Sequence, residues 1–189
     1  HTGLVQVRRH KFEDQIWPKK CGHMAGKFVE PRDVAQRKVK AAVASRTDPD
    51  LLIIARTDSR GPHGMDEAMD RAKMFMDAGA DMIFFDGPKS LEELHQICDA
   101  DIGPQMANMS ETGLTPILSA KELEEIGFKL TIWPSTTSRI AVRQVSEFLA
   151  HLKETGDSRP WLDKMASLEE TNTKLGLNDV KAFEDIVNG

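Results

Sequence analysis

Glu13-Asp14-Gln15 is followed closely by Lys19-Lys20-Cys21-Gly22-His23, so a short stretch gathers an acid, two ammonium groups, a thiol and an imidazole. A cysteine flanked by Lys and His has a lowered thiol pKa in a partly open, electropositive pocket. That makes Cys21 a candidate proton donor or nucleophile near neutral pH. Lys19 and His23 are the charged neighbours available to it, and His23 suits a supporting hydrogen bond better than direct proton transfer. Gly22 would let the backbone approach a ligand closely. The competing reading of Cys21 is a small buried hydrophobe, the usual fate of a free cysteine; Cys98, inside a helical stretch, takes that reading.

Further polar groups follow short apolar runs. Arg56 could grip a carboxylate with its two-pronged guanidinium, or form a structural ion pair with Asp58 or Asp86. Asn108 and Ser110 could bind a ligand or simply shape a turn. Glu13 could serve a site or cap the segment after it.

The elements that must position these groups repeat a pattern. Leu51–Ala55 is a continuous apolar run of the kind buried in a parallel sheet. A Gly/Pro loop and a helix over 65–78 follow, with Ala68, Ala72, Phe75 and Met76 on its apolar face and Gly79 ending it. Met82–Phe85 is the next run, and Ser90 with Glu93 predicts a capping box for a helix to about Asp99. Gln105–Ala107 is the third run, followed by a second capping box, Ser119 with Glu122, and a stop at Gly127. Leu130–Trp133 is the fourth, ahead of a long helix over about 138–154. A weak strand at the N-terminus would lead into Glu13.

Such alternation means βαβ units and a parallel sheet, either doubly wound or closed as a (β/α)8 TIM-type barrel. In both, ligands gather at the carboxyl ends of the strands, where every polar cluster above falls. No Gly-rich dinucleotide loop follows any strand. The expected division is a partial barrel over 1–156 and a helical tail over 157–189, with Trp161, Leu162, Met165 and Leu168 as the tail's apolar stripe, packing on a neighbouring subunit.

Bulk properties narrow the class. The chain has 189 residues and a net charge of -5, which disfavours a nucleic-acid surface. No apolar run approaches a membrane span, so neither nucleic acid nor membrane is an expected partner. Two cysteines make no disulfide framework, which sets a reducing, cytoplasmic compartment as the default. Mitochondrial residence is the alternative, with any targeting segment lying ahead of this chain.

The ordered blocks carry a resemblance. Glu13-Asp14-Gln15 with Lys19-Lys20-Cys21-Gly22-His23, then Ile54-Ala55-Arg56-Thr57-Asp58, Ala78-Gly79-Ala80-Asp81-Met82-Ile83-Phe84, Ala107-Asn108-Met109-Ser110-Glu111-Thr112-Gly113, and Pro134 with Arg139 resemble the isocitrate lyase and phosphoenolpyruvate mutase superfamily. The methylisocitrate lyase, dimethylmalate lyase and oxaloacetate-acting branches look most similar. The resemblance implies a (β/α)8 barrel binding Mg2+ (or Mn2+) and a small 2-oxo or 2-hydroxy diacid. It also implies a tetramer whose subunits exchange a C-terminal helix. By similarity, Cys21 would protonate the carbanion released by C–C cleavage, Glu13 would hold a water of the Mg2+ shell, and Arg56 would clamp one carboxylate. Asn108, Ser110 and Arg139 would bind the other.

The chain also departs from the pattern. The family's metal-binding Asp-x-Asp-x-Gly-Tyr-Gly motif does not occur, and about five strand units are visible where a full barrel has eight. A fragment or altered gene product lacking the first three or so units is therefore expected. Arg8-Arg9-His10-Lys11 reads as too charged for a barrel interior. Asp86 stands where many relatives have Glu. Leu168 stands where methylisocitrate lyases place Arg, which favours a smaller diacid. Pro134 replaces the Ser of the oxaloacetate-hydrolysing branch. The leading expectation is a Mg2+-dependent C–C lyase lineage. The alternatives are a non-catalytic assembly or regulatory homologue, a phosphonomutase, and an oxaloacetate-acting enzyme.

Overall fold

A computed structural model describes residues 9–20 and 26–188. Backbone packing divides the chain into two units, ending and beginning at Thr136 and Thr137.

The first unit is built on five parallel strands, β1 (Arg9–Glu13), β2 (Leu52–Thr57), β3 (Met82–Phe85), β4 (Gln105–Asn108) and β5 (Leu130–Ile132), hydrogen-bonded in the order of the sequence. A doubly wound sheet reverses its strand order at a switch point. This one never does. It is an arc of a (β/α) barrel, with α1 (Arg32–Ser45), α2 (Arg60–His63), α3 (Met65–Asp77), α4 (Leu91–Asp99) and α5 (Ala120–Ile126) in the connections.

Alternation along the strands sorts side chains between two faces. Ala55, Ile83, Phe85 and Ala107 join the buried faces of the helices, including Ala35, Val39, Ala72, Phe75, Leu94 and Leu123, in the main core. Ile54, Met82, Phe84 and Met106 form a second cluster on the opposite, inner face, with Leu130 and Ile132 against it. Arg56 belongs to this inner face, because its guanidinium lies 5.0 Å from the Phe84 ring centre.

The charged N-terminal run does form a strand. Its register pairs Lys11 with Ile54 and Glu13 with Arg56. Arg9, His10 and Lys11 are exposed on this edge strand, in keeping with their charge. Lys11 reaches the inner face, where its ammonium sits 5.5 Å from the Phe84 ring centre. Burial, followed by the nearby Arg56, holds the Lys11 pKa below its usual value.

The predicted stops hold where local chemistry controls them. Ser119 and Glu122 exchange side-chain and backbone hydrogen bonds in a full capping box. Ser90 accepts from the Glu93 N–H, but the Glu93 carboxylate turns to the Lys89 N–H and to Arg60. The second half of that expected box is absent because the carboxylate is engaged by the Lys89 N–H and the Arg60 guanidinium instead of the Ser90 N–H. Gly79 follows α3 with φ 97°, a left-handed conformation that favours glycine.

The second unit holds α6 (Thr136–Thr155) beyond its first residue, a 3-10 turn (Arg159–Lys164), α7 (Leu168–Lys174) and α8 (Leu177–Asn188). The long helix thus groups with the tail. Within the unit, Trp161 packs edge-on against Phe148, with ring centres 5.6 Å apart, and Lys164 Nζ lies over the Trp161 ring, 4.2 Å from its centre. Leu162, Met165 and Leu168 are exposed.

Candidate active site

The carboxyl ends of β1, β2 and β3 bring charges of both signs together. β1 delivers Glu13 next to Arg56 of β2, and the turn after β3 delivers Asp86. Arg56 donates through Nε and Nη2 to the two oxygens of Asp58, both at 2.7 Å. Nη2 also lies 3.0 Å from Asp86 Oδ1, and Nε 3.7 Å from Glu13 Oε2. Lys27 bridges the two aspartates at 3.2 Å and 2.9 Å. Lys19 closes the outer end with a 3.0 Å pair to Glu13.

Burial makes this network strong. Asp58 is wholly buried, and Arg56, Asp86 and the Lys27 side chain nearly so. Burial alone would raise the Asp58 carboxyl, yet the hydrogen bonds from Arg56 and the charge of Lys27 hold it below its ordinary value. The Arg56 guanidinium is desolvated as well, but its bonds to Asp58 and the charge of Asp86 keep it protonated.

A second layer fixes the turn that carries Asp58. Buried Asp14 accepts from the Asp58 N–H at 2.8 Å, from Thr57 Oγ1 at 2.8 Å and from Arg71 at 3.2 Å. Desolvation dominates there and raises the Asp14 carboxyl. Arg71 is held in turn by Glu67, which also receives Arg32.

Of the expected site residues, Glu13, Lys19, Arg56 and Asp86 meet in one network. Both readings of Arg56 as an ion-pair partner are realised, with Asp58 and with Asp86. Asn108 ends β4 on the same sheet edge, and its buried Oδ1 has no hydrogen-bond partner among the described residues. Ser110 is buried just beyond it. Arg139 lies on α6 in the second unit. Cys21, Gly22 and His23 lie outside the described residues. Cys98 packs half-buried against the main core, and burial pushes its thiol up to about 11.

Lys27, Asp14 and the anchoring role of Asp58 escape a reading of sequence alone. Asp14 carried a usable signal, being an acid next to an apolar strand end. Lys27 carried none.

The carboxylates here are matched by cations: Glu13 by Lys19, and Asp58 and Asp86 by Arg56 and Lys27. Among the described residues no group of three acids, histidines or cysteines could hold a metal ion. A hard divalent cation needs several free oxygen ligands. The described residues do not fit a Mg2+ site by themselves.

A family model described as phosphoenolpyruvate phosphomutase matches residues 5–153. The chain is 46% identical over 176 residues to the "Probable 2-methylisocitrate lyase 1" of Corynebacterium glutamicum, covering 91% of this chain and 57% of the relative. Its structure superposes on the crystal structure of 2,3-dimethylmalate lyase, a PEP mutase/isocitrate lyase superfamily member, with a TM-score of 0.87 and 35% identity, covering 96% of this chain and 60% of that one. It also superposes on oxaloacetate acetylhydrolase in complex with the inhibitor 3,3-difluorooxalacetate, with a TM-score of 0.88, 29% identity, and coverage of 96% and 61%. The chain thus spans under two thirds of the length of these relatives. No helix among the described residues is long and apolar enough to cross a membrane.

Proposed function

Since the chain belongs to the PEP mutase/isocitrate lyase superfamily, we propose that it carries part of the site of a carbon–carbon lyase acting on a small 2-hydroxy acid with two or three carboxylates, of the dimethylmalate or methylisocitrate type. The observation that carries this reading is the convergence of Glu13, Arg56, Asp86 and Asn108 at the carboxyl edge of one parallel sheet, where barrel enzymes place their chemistry.

In this reading Arg56 holds one substrate carboxylate. Its Nε and Nη2 are taken up by Asp58 and Asp86, which orient the guanidinium and leave Nη1 to donate to that carboxylate. The unsatisfied Asn108 oxygen can accept from the substrate hydroxyl, and the Ser110 hydroxyl can donate to the second carboxylate; Arg139 is assigned to that carboxylate by family resemblance alone. A base accepts the proton of the substrate hydroxyl, that carbon becomes a carbonyl as its C–C bond breaks, and the bonding pair stays on the departing carbon. Cys21 supplies the proton that quenches it, with Lys19 and His23 tuning the thiol and Gly22 giving the backbone close approach. Mg2+ or Mn2+ would stabilise the developing 2-oxo acid. By resemblance, Glu13 would meet that ion through water. The partner of the site is a small carboxylic acid, and a homotetramer is the proposed assembly.

Incubation with Mg2+ and either 2-methylisocitrate or 2,3-dimethylmalate, followed by a coupled assay for pyruvate, tests the reading. Formation of pyruvate that is lost in Cys21→Ser supports it; no turnover by a folded sample overturns it.

A second reading, a non-catalytic assembly subunit, draws on the two sheet edges, since β1 pairs only with β2 and β5 only with β4 among the described residues. Open edges favour pairing with another chain. A monodisperse monomer in light scattering would exclude it.

A further inference from the structure

Four buried charges of alternating sign close into a ring at the carboxyl edge. Arg56 donates to both oxygens of Asp58 at 2.7 Å, and its Nη2 lies 3.0 Å from Asp86 Oδ1. Lys27 Nζ completes the circuit, 3.2 Å from Asp58 Oδ1 and 2.9 Å from Asp86 Oδ2. Side-chain exposure is 7% for Lys27, 9% for Arg56, 3% for Asp86 and 0% for Asp58, so little water or salt screens any of the four.

Backbone contacts bring Lys27 to this place. The stretch that carries it is pinned beyond the end of β1 by Ile16 N–H to the Phe28 carbonyl at 3.0 Å and by Glu30 N–H to the Asp14 carbonyl at 2.7 Å, around the antiparallel bridge of Gln15 with Val29. Its aliphatic stem runs beside Gly61 of α2, where an added side-chain carbon would stand 3.5 Å from Lys27 Cε.

The ring resolves a conflict at Arg56. In the lyase reading Arg56 offers Nη1 to a substrate carboxylate while Asp58 and Asp86 hold Nε and Nη2. Two aspartates on a single guanidinium would leave a net negative charge beside the incoming anion, and like charges at close range in a buried site repel strongly. They would also compete with the ligand for the remaining arm. With Lys27 in place the four charges sum to zero, and the second oxygen of Asp86 turns to the ammonium.

We propose that Lys27 is a positioning residue for acid binding: by sharing Asp58 and Asp86 it keeps the Arg56 guanidinium available to a ligand carboxylate that Lys27 itself does not touch. This rests on the lyase reading for the identity of the ligand. The role itself requires only that Arg56 bind an acid, whether or not a reaction follows.

Calorimetric titration with malate, a 2-hydroxy diacid, tests this without turnover. The parent is compared with Lys27→Met, with Lys27→Arg, and with Lys27→Met combined with Asp86→Asn. Far-UV circular dichroism confirms that each sample is folded, so that affinity is read apart from stability. The expected result is that Lys27→Met binds malate at least about tenfold more weakly than the parent. The double variant, in which the surplus carboxylate charge is gone, regains most of that loss. Lys27→Arg, which keeps a buried cation, stays close to the parent. An unchanged affinity in folded Lys27→Met would overturn the proposal, as would a double variant no better than the single one or a parent that binds no malate. If Lys27→Met does not fold, Lys27→Gln, which keeps a hydrogen-bond donor without the charge, takes its place. Malate binding without pyruvate formation from 2-methylisocitrate or 2,3-dimethylmalate counts against the lyase reading alone.

Discussion

Arg71 and Asp14 are 57 positions apart in sequence, yet Nη1 of one lies 3.2 Å from Oδ2 of the other with both side chains buried. The pair links the outer helix α3 to the turn that presents Asp58. Arg71→Met leaves the Asp14 charge buried without its cation and is expected to destabilise the protein by about 3–5 kcal/mol. Urea denaturation measures this, and adding Asp14→Asn should recover part of the loss. A change below about 1 kcal/mol would show that the pair is incidental.

Glu67 provides a pH signature. Its hydrogen bond with Arg32, with Arg71 behind it, lowers its carboxyl from 4.5 to about 2. A depressed carboxyl contributes stability that is complete above its unfolded value and lost as pH falls toward the folded one. Stability should therefore decline between about pH 4.5 and 2. Acid titration followed by circular dichroism should show a shallower decline in Glu67→Gln. Asp14 works in the opposite sense. Burial raises its carboxyl, so its contribution is present at low pH and lost as pH rises through that raised value.

Arg56→Lys keeps the charge and removes the fork that meets both oxygens of Asp58. Loss of a charge-assisted hydrogen bond is expected to weaken binding of a small dicarboxylate by about 10- to 100-fold. Calorimetric titration of the folded variant checks this, and an unchanged affinity would remove Arg56 from the proposed substrate contacts.

Gly79→Ala should cost about 1–2 kcal/mol from its left-handed backbone alone. The added carbon would also meet Val43 Cγ1 at 3.1 Å. Gly87, at φ 71°, has no atom within 4 Å of that position, so its alanine variant should lose less. Thermal melts of the two variants compare crowding plus conformation with conformation alone.

Strands β2 to β5 were legible because each is an apolar run buried in a parallel sheet, a signal that needs no long-range information. The Ser119–Glu122 box was legible for the same local reason. Ser90 and Glu93 have the same spacing, but Arg60 arrives from 33 positions away and takes the carboxylate. Lys27 shows the limit most plainly. Nothing beside it in sequence marks it as buried; its partners stand 31 and 59 positions away. β1 was legible as a weak strand leading into Glu13; its charged residues Arg9 to Lys11 stay exposed, and only its pairing of Glu13 with Arg56 needed the fold. Helix α1 left a trace that pattern reading passed over, its buried Ala35, Val39 and Ala42 following a proline.

The strictly successive order of the five strands bears on how the protein comes into being. Every strand finds its partner in the next unit along the chain, so no pairing must wait for a distant segment to emerge. Loop closure between neighbours is brief and modest in entropy, and each completed unit offers a finished edge to the one being synthesised. The sheet can assemble in the direction of translation, with β1 and β2 paired before Asn108 has left the ribosome.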